Sequence, residues 1–169
     1  LESQDMFRLP GIFRTVALEA KPKVHVNDFQ INPRFDASLV NASLDVNAVV
    51  RNLSGKVLNG YTINYTLYEN KLYSNENSLV PGVSGKVVVP ACGKAKGAAV
   101  DARVTIPVGA VVKKWSAEAP WCYTLVGELK DAKGNVVETF SAITGFRTVE
   151  IRDTKASDDE FGLAGRYYY

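Results

Sequence analysis

The chain has 169 residues, about the size of one domain, and is 46% hydrophobic and 22% charged, a composition that can bury a core and excludes a disordered chain. Twenty basic residues against 18 acidic ones leave a net charge of +2, so no field gathers phosphate or anionic lipid, and neither nucleic acid nor a membrane is expected as a partner. No run reaches the roughly 20 apolar residues of a membrane span, and Leu1-Glu2-Ser3-Gln4-Asp5 lacks the basic-then-apolar layout of a signal peptide.

Along the chain, Met6 to Leu18 is apolar and punctuated by arginine, with Pro10-Gly11 inside it, and reads as a piece of a neighbouring unit. A weak strand pattern covers Val24 to Ile31. Period-two alternation is clearest where Leu44, Val46, Ala48 and Val50 share one face against Ser43, Asp45, Asn47 and Arg51, a strand with one buried side that ends at Ser54-Gly55. Tyr61, Ile63, Tyr65 and Leu67 alternate with threonine and asparagine in a second strand. Val83 to Val89 is a weaker one. Val100 to Ile106 alternates again, and Pro107, which cannot donate to a ladder, is expected to end it.

After a short turn around Val111 to Trp115, Tyr123 to Lys130 and Val136 to Ile143 flank the polar loop Asp131-Ala132-Lys133-Gly134-Asn135 as a β-hairpin. Phe146 to Ile151 is read as a last strand and Asp153 to Glu160 as a polar linker. Apolar residues nowhere keep a three-to-four spacing beyond about two turns, so no substantial helix is expected. Seven or so strands with turns between them predict an all-β, immunoglobulin-like, two-sheet antiparallel β-sandwich. The expected organisation is 1–20 as the tail of a preceding domain, 21–152 as the sandwich and 153–169 as a linker.

Few residues carry chemistry. His25 is the sole histidine, with no His or Cys at metal-ligand spacing, and is expected at the surface or an interface. One histidine without a nucleophile elbow gives no basis for a triad. Cys92 and Cys122 suit either a bridge or two independent thiols, and the second reading, with Cys122 packed as a small hydrophobe, is preferred. Asp158-Asp159-Glu160 lacks the alternation and glycine of a calcium loop and reads as solvated linker. Arg8, Arg14 and Arg147 fit ties between strands or domains better than ligand contacts. Trp115 and Trp121 suit either a sugar-stacking platform or packing at a junction, the latter preferred. Asn41, Asn52 and Asn64 head formal glycosylation sequons that carry no weight here.

Three stretches in order resemble glycoside hydrolase family 2, the β-galactosidase group. Asp5-Met6-Phe7-Arg8-Leu9-Pro10-Gly11-Ile12-Phe13-Arg14 is similar to the segment that closes that family's sugar-binding jelly roll, with Phe7 where tryptophan is usual. Trp115-Ser116-Ala117-Glu118-Ala119-Pro120 before Tyr123-Thr124-Leu125 resembles the WSAE-x-P-x-LY-x-L signature, with Trp121-Cys122 replacing Asn-Leu. Gly145-Phe146-Arg147 with Val149-Glu150-Ile151 resembles the GFR-x-VEI strand that leads toward the catalytic barrel, so Tyr167-Tyr168-Tyr169 reads as a cut edge.

The resemblance implies a non-catalytic domain of a larger bacterial enzyme, cytoplasmic or periplasmic, that hydrolyses terminal β-galactosides with retention. It implies two catalytic glutamates on the barrel, outside this chain, since retention needs two carboxyl groups about 5 to 5.5 Å apart. It also implies that Asp5 reaches the sugar pocket and a monovalent cation in the intact enzyme, which uses magnesium and sodium, while the fragment itself needs no cofactor. The expected partners are neighbouring domains of the same polypeptide, and a second copy in a homo-oligomer. An independent carbohydrate-binding or adhesion module is the alternative, and a β-glucuronidase or β-mannosidase parent shares the domain order.

Overall fold

A computed structural model of the chain describes residues 11–12, 14–149, 151–155, 157 and 165–168, and nothing in it is helical among these. Among the described residues nine strands form: β1 (Val24–Phe35), β2 (Ala42–Asn52), β3 (Thr62–Asn70), β4 (Asn77–Val88), β5 (Ala98–Gly109), β6 (Tyr123–Lys130), β7 (Val136–Thr144), β8 (Ile151–Thr154) and β9 (Gly165–Tyr168). One antiparallel sheet has the order β1-β2-β5, a second β4-β3-β6-β7, and β8 pairs with β9 in a third. The chain crosses between the first two sheets after β2, after β4 and after β5, which is the Greek-key wiring of an immunoglobulin-like sandwich.

The alternation seen in sequence becomes the core. Leu44, Val46, Ala48 and Val50 of β2 face Ile63, Tyr65 and Leu67 of β3 and Leu125 and Leu129 of β6 across one continuous buried cluster, each leucine, isoleucine or valine in it contributing about 1.5–3 kcal/mol through burial. Tyr65 sits at its centre, paired with Gly85 on one side and Gly127 on the other. A Cβ on Gly127 would come within 2.3 Å of the Phe140 ring, and one on Gly85 within 2.6 Å of Ile106. The two glycines leave room for Ile106 and Phe140, and the Phe140 ring meets that of Tyr65 edge to face at 6.1 Å.

Several expectations are corrected. β5 runs through Pro107 to Gly109 because it is an edge strand, where a missing donor faces no partner; Val108 is bulged out opposite Ala42 and Ser43. β4 begins at Asn77, well before the expected Val83, and a bulge over Val80 to Val83 lets Pro81 and Gly82 interrupt its pairing with β3. Phe146 to Ile151 is no single strand: Phe146 makes an isolated parallel bridge to Lys114, and pairing resumes only at Ile151. Asp153 and Thr154, read as linker, lie inside β8, and Tyr167 and Tyr168 lie inside β9.

Both cysteines are free. Cys92, rather than Cys122, is the one packed in the core, where its backbone exchanges hydrogen bonds of 2.9 and 3.1 Å with Leu58. His25, expected at the surface or an interface, is instead buried within the sandwich. Its Nδ1 lies 2.8 Å from the Pro22 carbonyl, which can only accept, so Nδ1 carries the proton. Three consecutive buried positions, Val24 to Val26, precede a β-bulge at Asn27 and hide this histidine from period-two reasoning.

Because the seven strands of the sandwich reverse direction at every connection, the chain arrives at one pole and departs from the other. The arrival, or N-terminal, pole carries loops 53–61, 89–97 and 131–135; the C-terminal pole carries loops 36–41, 71–76 and 110–122.

Candidate functional site

The segment between β5 and β6 lies across the C-terminal pole. Its Lys113 amide donates to the Tyr123 hydroxyl at 2.8 Å, its Trp115 amide donates to the Phe146 carbonyl at 2.9 Å, and Ser116 closes a tight turn by accepting from the Ala119 amide at 3.1 Å. Gly145 permits this path, since a Cβ there would press within 3.2 Å of the Trp115 ring. Arg147 then lies over Trp115, its guanidinium carbon 4.7 Å from the ring centre, in a depression that Cys122 also lines. Two of the motifs singled out in sequence, around Trp115 and around Gly145, thus meet in space.

Trp121 is covered by the Lys113 ammonium at 3.9 Å, and the same ammonium is 2.5 Å from Glu69. Lys114 lies 5.4 Å from the centre of the Phe35 ring. Each stack contributes about 0.5–1 kcal/mol at an exposed site. Each also places a cation over a ring face that a sugar platform would present.

Another concave surface is the outer face of the β1-β2-β5 sheet, an open depression of about 450 Å³. Several of its polar groups are engaged: Asp45 takes Arg34 Nε at 2.5 Å and the Thr105 hydroxyl at 2.6 Å, and the adjoining Asp101 takes Arg103 at 3.2 Å and the Asn47 amide at 3.3 Å, while Asn47 Oδ1 is buried without a partner. No aromatic residue lines it.

Acid–base chemistry finds little support among the described residues. The displaced carboxyl groups all move down: hydrogen bonds from Ser38 and Asn41 hold Asp36 below the usual carboxylate range, those from Asn135 lower Asp131, and a backbone amide and Ser116 lower Glu118. A general acid needs the opposite direction. No group of three His, Cys, Asp or Glu side chains among the described residues is placed to hold a metal ion.

Of the residues singled out in sequence, Asp5, Arg8 and Asp158 to Glu160 lie outside the described residues. Arg14 is exposed, in a stretch from Arg14 to Ala20 that pairs with no strand. Sequence reasoning missed two organising residues. Asn52 is fully buried; its amide donates to the Lys56 carbonyl at 2.7 Å and its oxygen accepts from the Ser54 hydroxyl at 2.6 Å. Glu138 reaches across from β7 to accept the Val26 amide of β1 at 2.6 Å. The Asn-x-Ser-Gly turn pattern signals the first; nothing local signals the second.

The family model of the glycosyl hydrolases family 2 matches residues 24–147, the whole sandwich. The chain belongs to this family. Among curated relatives, it is 34% identical over 156 residues to a β-galactosidase of Priestia megaterium and 32% identical over 151 residues to one of Psychromonas ingrahamii. It covers 90% and 89% of its own length in these matches, and spans 14% of the length of either relative. Among solved family 2 structures, a Bacteroides uniformis β-glucuronidase superposes with a TM-score of 0.62 at 16% identity, covering 88% of this chain and 16% of that one. Another family 2 β-glucuronidase gives 0.59 at 13% identity, covering 83% and 12%. At such identity these structures speak for the fold alone, the two-sheet antiparallel sandwich described above.

Proposed function

We propose that this chain is a non-catalytic spacer of a family 2 glycoside hydrolase whose intact form cleaves terminal β-galactosides. The observation that carries this reading is a match over nine-tenths of the chain to β-galactosidases of which it spans only 14%: it resembles one unit among several. The three displaced carboxyl groups, Asp36, Glu118 and Asp131, move away from the range of a catalytic acid, which supports a supporting role. So does the topology, which sends the chain in at one pole and out at the other, as a rigid block between two neighbours requires.

On this reading residues 1–20 belong to a preceding sugar-binding jelly roll, 21–152 are the spacer, and 153–169 lead to the barrel that carries both glutamates. Asp5 is proposed as a sugar and monovalent-cation contact in the intact enzyme only. The magnesium and sodium implied for that enzyme are assigned to no described residue. Rigidity matters because a displacement of about 1 Å at a contact group costs on the order of a hundredfold in rate.

The isolated chain is expected to leave nitrophenyl β-galactoside uncleaved while the protein translated from the complete gene cleaves it. Turnover by the pure isolated chain would overturn the proposal, and saturable micromolar binding of galactose or lactose by it would favour a carbohydrate-binding module.

A further inference from the structure

The two poles of the sandwich differ in how they make their turns. At the N-terminal pole every described residue with positive φ is glycine: Gly55, Gly60, Gly97 and Gly134. At the C-terminal pole Leu39 and Tyr73 adopt φ of 56° and 59°, a left-handed backbone that bulky side chains occupy rarely and against a steric penalty. Both turns are locked. Asp36 accepts from Ser38, Val40 and Asn41 to fix the 36–41 loop, and the Lys71 amide donates to the Glu76 carbonyl at 2.9 Å to close 71–76.

The side chains so displayed are apolar and wet: Tyr73 is 96% exposed and Leu39 43%, with Val40 and Val111 also exposed at the same pole. Strain retained in order to present apolar groups to solvent has no use in an isolated sandwich, and outliers of this kind collect at functional surfaces.

We infer that this pole is a docking surface, and that its occupant is the part of the same polypeptide that follows the sandwich. The inference rests on the spacer reading above and names the surface by which the spacer acts. Continuity points to that occupant: the chain leaves the sandwich here, bridged at Phe146 to Lys114 and stacked at Arg147 on Trp115, and Val149 is exposed beyond them. Length leaves room for such an occupant, since most of each matched β-galactosidase lies outside the region this chain covers. The complementary surface is apolar at its centre, to receive Leu39 and Tyr73, and carries carboxylates opposite Lys114 and Arg147.

Two measurements test it. Hydroxyl-radical footprinting compares the isolated chain with the protein made from the complete gene; Tyr73 and Leu39 are expected to lose most of their reactivity in the latter, because the core of an interface excludes solvent. Equal reactivity in both would overturn the inference.

The second measurement uses Leu39→Asn with Tyr73→Asn, which relieves the left-handed strain. In the isolated chain the pair is expected to raise Tm by about 2–4 °C, and in the intact protein to lower it, because the docking groups are gone. A rise in both would again overturn the inference. A complete gene product no larger than this chain, read from its mass beforehand, would defeat the spacer reading and the docking surface together, whereas a longer product with an unprotected pole defeats the surface alone.

Discussion

Tyr65 shows how the core is decided one side chain at a time. Its neighbours across both ladders are glycines, and Ile106 and Phe140 fill the space that a Cβ on Gly85 or on Gly127 would take. Gly127→Ala therefore overpacks the centre of the sandwich and is expected to cost about 1–3 kcal/mol in urea unfolding. The Tyr65 hydroxyl is buried without a hydrogen-bond partner, whereas that of Tyr123 accepts the Lys113 amide at 2.8 Å. The two Tyr→Phe substitutions should then differ in sign: Tyr65→Phe leaves stability unchanged or raises it by about 1 kcal/mol, and Tyr123→Phe, which orphans an amide, lowers it by about as much.

Burial also pushes the Tyr65 phenol up to about 12 from an ordinary value of 10.0. A raised pKa in the folded state means stability that is fully present below the unfolded value and lost as pH climbs through the folded one. The wild-type chain should weaken between about pH 10 and 12, and an equal alkaline loss in Tyr65→Phe would refute the assignment to this residue.

Among the elements, those with one wet and one dry face were legible, because burial on a single side writes itself as alternation: β2, β3, β6 and the β6–β7 hairpin appear close to where Leu44 to Val50, Tyr61 to Leu67 and Asp131 to Asn135 predict them. Pro107 misled, since whether a proline ends a strand depends on whether a neighbour wants its donor, and edge position is a property of the sheet rather than of the residue. β4 was mostly illegible for a related reason: Pro81-Gly82 breaks its period while the ladder resumes on either side.

The Glu138 tie between β1 and β7 was illegible altogether, joining residues 112 apart in sequence. Glu138→Ala leaves the Val26 amide without its acceptor and is expected to cost about 1–3 kcal/mol; a change below a few tenths in equilibrium denaturation would show that water replaces the carboxylate. Of the candidate site, the motifs around Trp115 and Gly145 could be marked in sequence. Their meeting could not, because it depends on the 110–122 segment crossing the pole.

At the level of the whole molecule, family membership accounts for the match across the sandwich, while catalysis belongs, on the proposed reading, to a barrel beyond it. Supplying the isolated chain in trans to a parent protein lacking residues 21–152 is expected to leave β-galactoside hydrolysis unrestored, because a spacer works through covalent connection at both poles; recovery of turnover would show that docking alone suffices.

The opposed poles have one more consequence. β1 and β7 are the first and last strands of the sandwich, they run in the same direction side by side, and Glu138 links them. If the flanking units are pulled apart, the load runs along both strands at once and shears their contacts together instead of unzipping them singly. Such a block yields at high force and in one step, which is the behaviour of a strut, and a single-molecule extension trace should show one tall rupture rather than a staircase.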